Sequence, residues 1–117
     1  MSDERITLGK TIAEARKKRM WSLRDLADRV KKEDGSSVTP QYLNDIEHDR
    51  RVPAEIVLSG LSKALELDPD SLRLLAGQQP KGVKKYLEQH PSAADVVAKA
   101  FRAAISNAKK HPKNTTQ

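Results

Sequence analysis

Three histidines, His48, His90 and His111, carry imidazole, which serves both as a metal ligand and as a proton shuttle. They stand far apart, in neither H-x-x-x-H nor H-E-x-x-H spacing, and no cysteine is present to complete a thiolate set. The sequence therefore offers no metal site. The triplet Gly9-Lys10-Thr11 looks like the end of a phosphate loop, but it lacks the upstream glycine run and sits inside or beside a helical apolar stripe. Acidic pairs such as Glu33-Asp34 lie in polar loop sequence with no pocket to raise a carboxyl pKa. No enzyme and no cofactor is expected. The absence of cysteine also excludes a disulfide framework and suits a reducing compartment.

The elements that must carry any other activity are helical. Leu8, Ile12 and Ala15 recur at spacings of four and three over residues 7–19 and predict a first helix with one buried face. Ser22 with Asp25 has capping-box spacing and opens a second helix whose stripe is Leu23, Leu26, Ala27 and Val30, about two and a half turns. The polar segment from Lys31 to Ser37 contains an Asp-Gly pair and is at least partly loop. Thr39-Pro40 then reads as N-cap and first-turn proline of a third helix reaching about His48, which buries Leu43 and Ile46. A fourth helix is expected over about 53–66, on Val57, Leu58, Leu61, Ala64 and Leu65. Asp68-Pro69 starts a fifth, with Leu72 and Leu75 facing inward before Gly77. After a hinge at 78–82 come a short helix with Val83, Tyr86 and Leu87 and a long alanine-rich helix launched by Ser92 and Asp95. Its apolar seam is Val97, Ala100, Phe101, Ala104 and Ala108.

The chain of 117 residues is long enough for one small domain and an appendage, and its 37% hydrophobic content with four aromatic residues implies a thin core. The net charge of +6 is uneven: +2 over residues 1–51, −2 over 52–80 and +6 over 81–117. Such a balance suits DNA, RNA, an anionic membrane surface or an acidic protein without selecting among them. No apolar run approaches a membrane span, and the N-terminal segment lacks a signal-peptide core, so a cytoplasmic protein is expected.

Over roughly residues 8–76 the order of features resembles the Cro/repressor-type (XRE) helix-turn-helix family. The resemblance rests on Ile12-x-x-Ala15-Arg16, Ser22-Leu23-x-x-Leu26-Ala27, Val38-Thr39, and above all the run Tyr42-Leu43-Asn44-Asp45-Ile46-Glu47-His48-Asp49-Arg50-Arg51-Val52-Pro53. Leu61-Ala64-Leu65-x-Leu67-Asp68-x-x-x-Leu72 is similar to the family's closing helices. It implies an all-α, five-helix lambda-repressor-like domain at 6–77, to which the residue pattern adds a helical C-terminal region at 81–110 and a tail at 111–117 expected to be disordered. Three departures stand out: Lys31–Val38 is longer than the family's tight turn, and Met20 and Asp49 replace glycines. Asp49 is tolerable there because aspartate adopts the left-handed conformation more readily than most residues.

The resemblance further implies double-stranded DNA as the partner, with base readout on Pro40, Gln41, Tyr42, Asn44 and Asp45. Amides such as Gln41 and Asn44 match adenine, and Tyr42 fits a thymine methyl or a phosphate unless it is a packing residue. Asp45 either accepts from cytosine or pairs with Arg50 or Arg51. Phosphate contacts fall to Ser22, Arg24, Thr39, Arg50 and Arg51, while Arg16 and Glu47 form an ion pair that holds the third helix to the first. A homodimeric repressor using the Val97–Ala108 seam is the leading expectation. The alternatives are an antitoxin that also binds a toxin, a repressor controlled by a partner metalloprotease, and a protein-binding module that no longer reads bases.

Overall fold

The computed structural model describes residues 6–110, with side chains described as far as Asn107. They contain seven helices: α1 (Leu8–Lys18), α2 (Leu23–Ala27), α3 (Pro40–Glu47), α4 (Glu55–Leu65), α5 (Pro69–Leu75), α6 (Val83–Gln89) and α7 (Ala93–Lys110). Among the described residues there is no β-strand, only one isolated antiparallel bridge between Lys31 and Ser37. The chain divides into two compact units between Pro80 and Lys81. The protein is all-α, with α1 to α5 in the first unit and α6 and α7 in the second.

Local chemistry explains where four of the five helices of the first unit begin. Thr7, Ser22, Thr39 and Asp68 each place a side-chain oxygen on an amide of the first turn, satisfying donors that have no partner inside a helix. Pro40 and Pro69 occupy first-turn positions where a missing N–H costs nothing. Ser22 and Asp25 form the full capping box, at 3.0 Å and 2.9 Å. The Ser22 backbone amide, which donates to the Asp25 carboxyl, and secondarily the Ser22 side chain hold that carboxyl below the usual carboxylate range.

The core consists of Ile12 from α1, Leu26 from α2, Leu43 and Ile46 from α3, Leu58 and Leu61 from α4 and Leu72 from α5, all fully buried. α1 packs on α3 and α4, α2 on α3, and α4 on α5. The close approach of α1 to α3 depends on Gly9: a Cβ there would lie 2.5 Å from the carbonyl oxygens of Ile46 and Glu47. That packing role accounts for the glycine of the Gly-Lys-Thr triplet.

Two expectations need correction. Helix two is only five residues, ending at Ala27, and Val30 reaches the core from outside it. Its amide closes a turn onto Ala27 and its carbonyl accepts the Val38 amide at 2.9 Å, so the apolar spacing marks an anchor rather than another helical turn. Leu75 is 41% exposed and does not face inward. Beside Leu72 the buried α5 residue is Arg73, which reaches Glu55 at 2.6 Å and Asp70 at 2.9 Å. Those carboxylates, Glu55 foremost, raise the Arg73 pKa against the opposing effect of burial.

The long connection between α2 and α3 leaves and returns to the same place. Val30 and Val38 are both buried, and between them Lys32 and Ser36 pair backbone to backbone at 2.8 Å. Gly35 turns the tip at φ +87°, a conformation that strains any residue with a Cβ. The extra length is thus an exposed excursion that leaves the approach of α3 to α2 intact.

In the second unit α6 and α7 enclose an apolar cleft of about 350 Å³ between Val83, Tyr86, Leu87, Ala93 and Val97. Val97, Phe101 and Ile105 are exposed along α7. Ala100 and Ala104 are exposed as well, whereas the Ala108 side chain and the expected disordered tail 111–117 lie outside the described residues. Ile105 extends the seam that the sequence suggests.

Candidate nucleic-acid interface

α3 is short and amphipathic, and its packing dictates which side chains remain available. Leu43, Ile46 and Glu47 are buried. Gln41 is exposed, while Pro40, Tyr42, Asn44 and Asp45 are half-buried. Thr39 caps the helix by accepting the Tyr42 amide at 3.0 Å, and Ser22 does the same for Asp25 from α2. Both residues are exposed, and a hydroxyl that accepts in a cap still has its proton to donate to a phosphate oxygen.

Glu47 anchors the helix from behind. Arg16 gives it two hydrogen bonds, Nε to Oε2 at 2.6 Å and Nη2 to Oε1 at 2.9 Å, and a third from Nη1 to the Trp21 carbonyl at 2.8 Å. The side chains of the pair are 12% and 5% exposed. Glu47 holds the Arg16 guanidinium above its ordinary pKa even though burial acts the other way. Arg16 therefore ties α1, the α1–α2 link and α3 together.

Asp45 is engaged within the protein. Its Oδ1 accepts from Gln41 Nε2 at 3.1 Å and from Arg50 Nε and Nη2 at 3.2 Å and 3.0 Å. One carboxylate oxygen thus orients a helix amide and the first arginine beyond the helix. Of the two roles open to Asp45 in the sequence, the structure displays the internal pair with Arg50. The neighbouring Arg51 instead stacks on Tyr42, its guanidinium carbon 4.5 Å from the ring centroid. Tyr42 packs against the core, and its hydroxyl accepts a long 3.4 Å hydrogen bond from the Ala54 amide, so it also braces the chain entering α4. Asn44 and the exposed Arg24 carry no side-chain hydrogen bond or ion pair within the described residues.

One structural residue has no local signal in the sequence. Asp49, at φ +59°, accepts from the Gly9 amide at 2.9 Å and the Thr7 hydroxyl at 2.7 Å, capping α1 from a turn some forty positions away. Met20 ends α1 in the same left-handed conformation, at φ +59°. The Gln41–Asp45 pair was in principle legible, since residues four apart share a helix face.

Arg24, Ser22, Thr39 and Arg51 donate hydrogen bonds or carry positive charge, and Gln41 and Asn44 are two-sided amides. Such a set on a helix with a capped N-terminus fits a duplex: a helix enters the major groove, amides read base edges, and hydroxyls and guanidinium groups hold the backbone. The helix-turn-helix family model matches residues 12–72, and the chain belongs to this family, of the Cro/repressor (XRE) type, whose members are DNA-binding transcription regulators. No curated protein and no solved structure matches the chain. Among the described residues no cluster of acidic, histidine or cysteine side chains is placed to hold a metal ion, and no helix is long and apolar enough to cross a membrane.

Proposed function

We propose that the chain is a repressor that binds an operator of defined sequence as a homodimer and occludes its own or a neighbouring promoter. The observation that carries this reading is the division of labour on α3: a buried ion pair fixes the helix while Gln41 and Asn44 present amides on its other side. In this reading Asn44 and Gln41 read bases, with Pro40, Tyr42 and Asp45 shaping their approach. Ser22, Arg24, Thr39 and Arg51 hold phosphates, joined by Arg50 where the Asp45 pair opens. The exposed α7 seam supports dimerisation, because Val97, Phe101 and Ile105 offer apolar surface to cover while the alanines between them permit a second copy to approach closely. Two domains so joined would favour an inverted repeat with half-sites about 34 Å apart.

The same exposed seam also fits a different protein chain, which keeps the antitoxin and metalloprotease-partner readings as the second choice. Titrating labelled duplex carrying the chain's own upstream region at several salt concentrations tests the main reading. Log affinity should fall against log salt with a slope of about 0.9 per phosphate contacted. Binding that ignores salt, or no binding to any duplex, contradicts it.

A further inference from the structure

Between α4 and the segments that flank α2, in a cleft of about 520 Å³, lie the Trp21 indole, Ile56, Ser59 and three cations, Arg29, Lys31 and Lys63. No carboxylate lines it. Arg29 lies 4.2 Å over the Trp21 ring while giving one N–H to the Asp25 carbonyl, and Lys31 reaches only a serine hydroxyl, Ser37 Oγ, at 2.8 Å. Lys63 is exposed on α4 with no ion pair within the described residues. A flat apolar wall beside three cations, two of which, Lys31 and Lys63, carry no ion pair within the described residues, is complementary to a small molecule with a planar apolar body and an anionic group. The volume falls within the range of small-molecule sites, roughly 300–1,000 Å³.

We propose that this cleft binds a small planar carboxylate. The apolar body lies against Trp21 and Ile56, and the carboxylate meets Arg29, Lys31 and Lys63. The site is distinct from the α3 residues assigned to DNA, and its occupancy is read without DNA. Arg29 and Lys31 flank Val30, the buried anchor of the excursion that leads into α3, so an occupant sits beside the entrance to that helix.

Trp21 is the sole tryptophan, so its fluorescence and its indole N–H resonance report on the cleft alone. The experiment titrates the full chain with benzoate, with the uncharged benzamide and with inorganic phosphate, and repeats the benzoate series on Lys63→Glu. The expected result is a saturable Trp21 response to benzoate with a Kd on the order of 1 mM. Benzamide and phosphate should each give a much weaker one, and Lys63→Glu should weaken benzoate about five-fold. No response to benzoate, or an equal response to benzamide or to phosphate, overturns the proposal, and the wild-type series decides this even if the variant does not fold. A Trp21 response to duplex DNA that Lys63→Glu abolishes would also overturn it, by making the cleft part of the DNA surface.

Discussion

The Glu47 carboxylate takes two hydrogen bonds from Arg16, and Arg16 in turn holds the Trp21 carbonyl, so three segments meet at one buried pair. Replacing a buried pair with apolar groups is often neutral, but removing one partner strands the other charge. Glu47→Ala is therefore expected to cost about 3–5 kcal/mol, lowering the melting temperature by roughly 15 °C or more in a domain of this size. Circular dichroism checks it, and an unchanged melting temperature with lost DNA binding would place Glu47 at the DNA surface instead. Asp45 makes the opposite kind of prediction, because it brings a negative charge towards phosphates and holds Gln41 and Arg50. Asp45→Ala should tighten binding to arbitrary duplex and steepen the salt dependence by about one phosphate contact, while narrowing the gap between operator and scrambled DNA. Weaker binding to both duplexes would mean that Asp45 itself contacts DNA productively.

Among the elements, α2 is the one most dependent on its ends, since five residues offer few internal hydrogen bonds. The Asp25 carboxyl titrates below its unfolded value, so its contribution is present above the ordinary carboxylate range and is lost as pH falls through the lower, folded value. Asp25→Asn should flatten part of the fall in melting temperature below about pH 4, leaving the share of Asp34, which is shifted the same way by its bonds to Ser36. Met20 is 90% exposed and held left-handed at the end of α1, so Met20→Gly should raise stability by about 1 kcal/mol in chemical denaturation. These ends also show what the sequence could reveal. Ser22 with Asp25, Thr39-Pro40 and Asp68-Pro69 are local signals, and each opens a helix where the sequence places it. Val30 misled because an apolar residue three beyond Ala27 suits a helical stripe and a loop anchor equally. Asp49 could not be read as the cap of α1, because its partners Thr7 and Gly9 lie 42 and 40 positions away. Leu75 and Arg73 exchange roles because Glu55, on another helix, makes the burial of an arginine favourable.

At the scale of the whole molecule, a domain of a DNA-binding family is joined to α7, for which homodimerisation is proposed, while base reading is proposed for α3. If α7 joins two copies, light scattering should give twice the chain mass for the full protein at micromolar concentration and the monomer mass for a chain ending at Gly77. Monomers in both cases, with equal DNA affinity, would remove α7 from the dimer proposal. Asn44 is the sharpest probe of base reading, since its amide is tied to no other described side chain. The deciding measurement compares Asn44→Ala with Arg51→Ala on operator and scrambled duplexes at one salt concentration. Asn44→Ala should lose about 1–3 kcal/mol of discrimination while keeping its affinity for scrambled DNA, and Arg51→Ala should weaken both duplexes alike. An equal loss on both duplexes for Asn44→Ala would contradict the account.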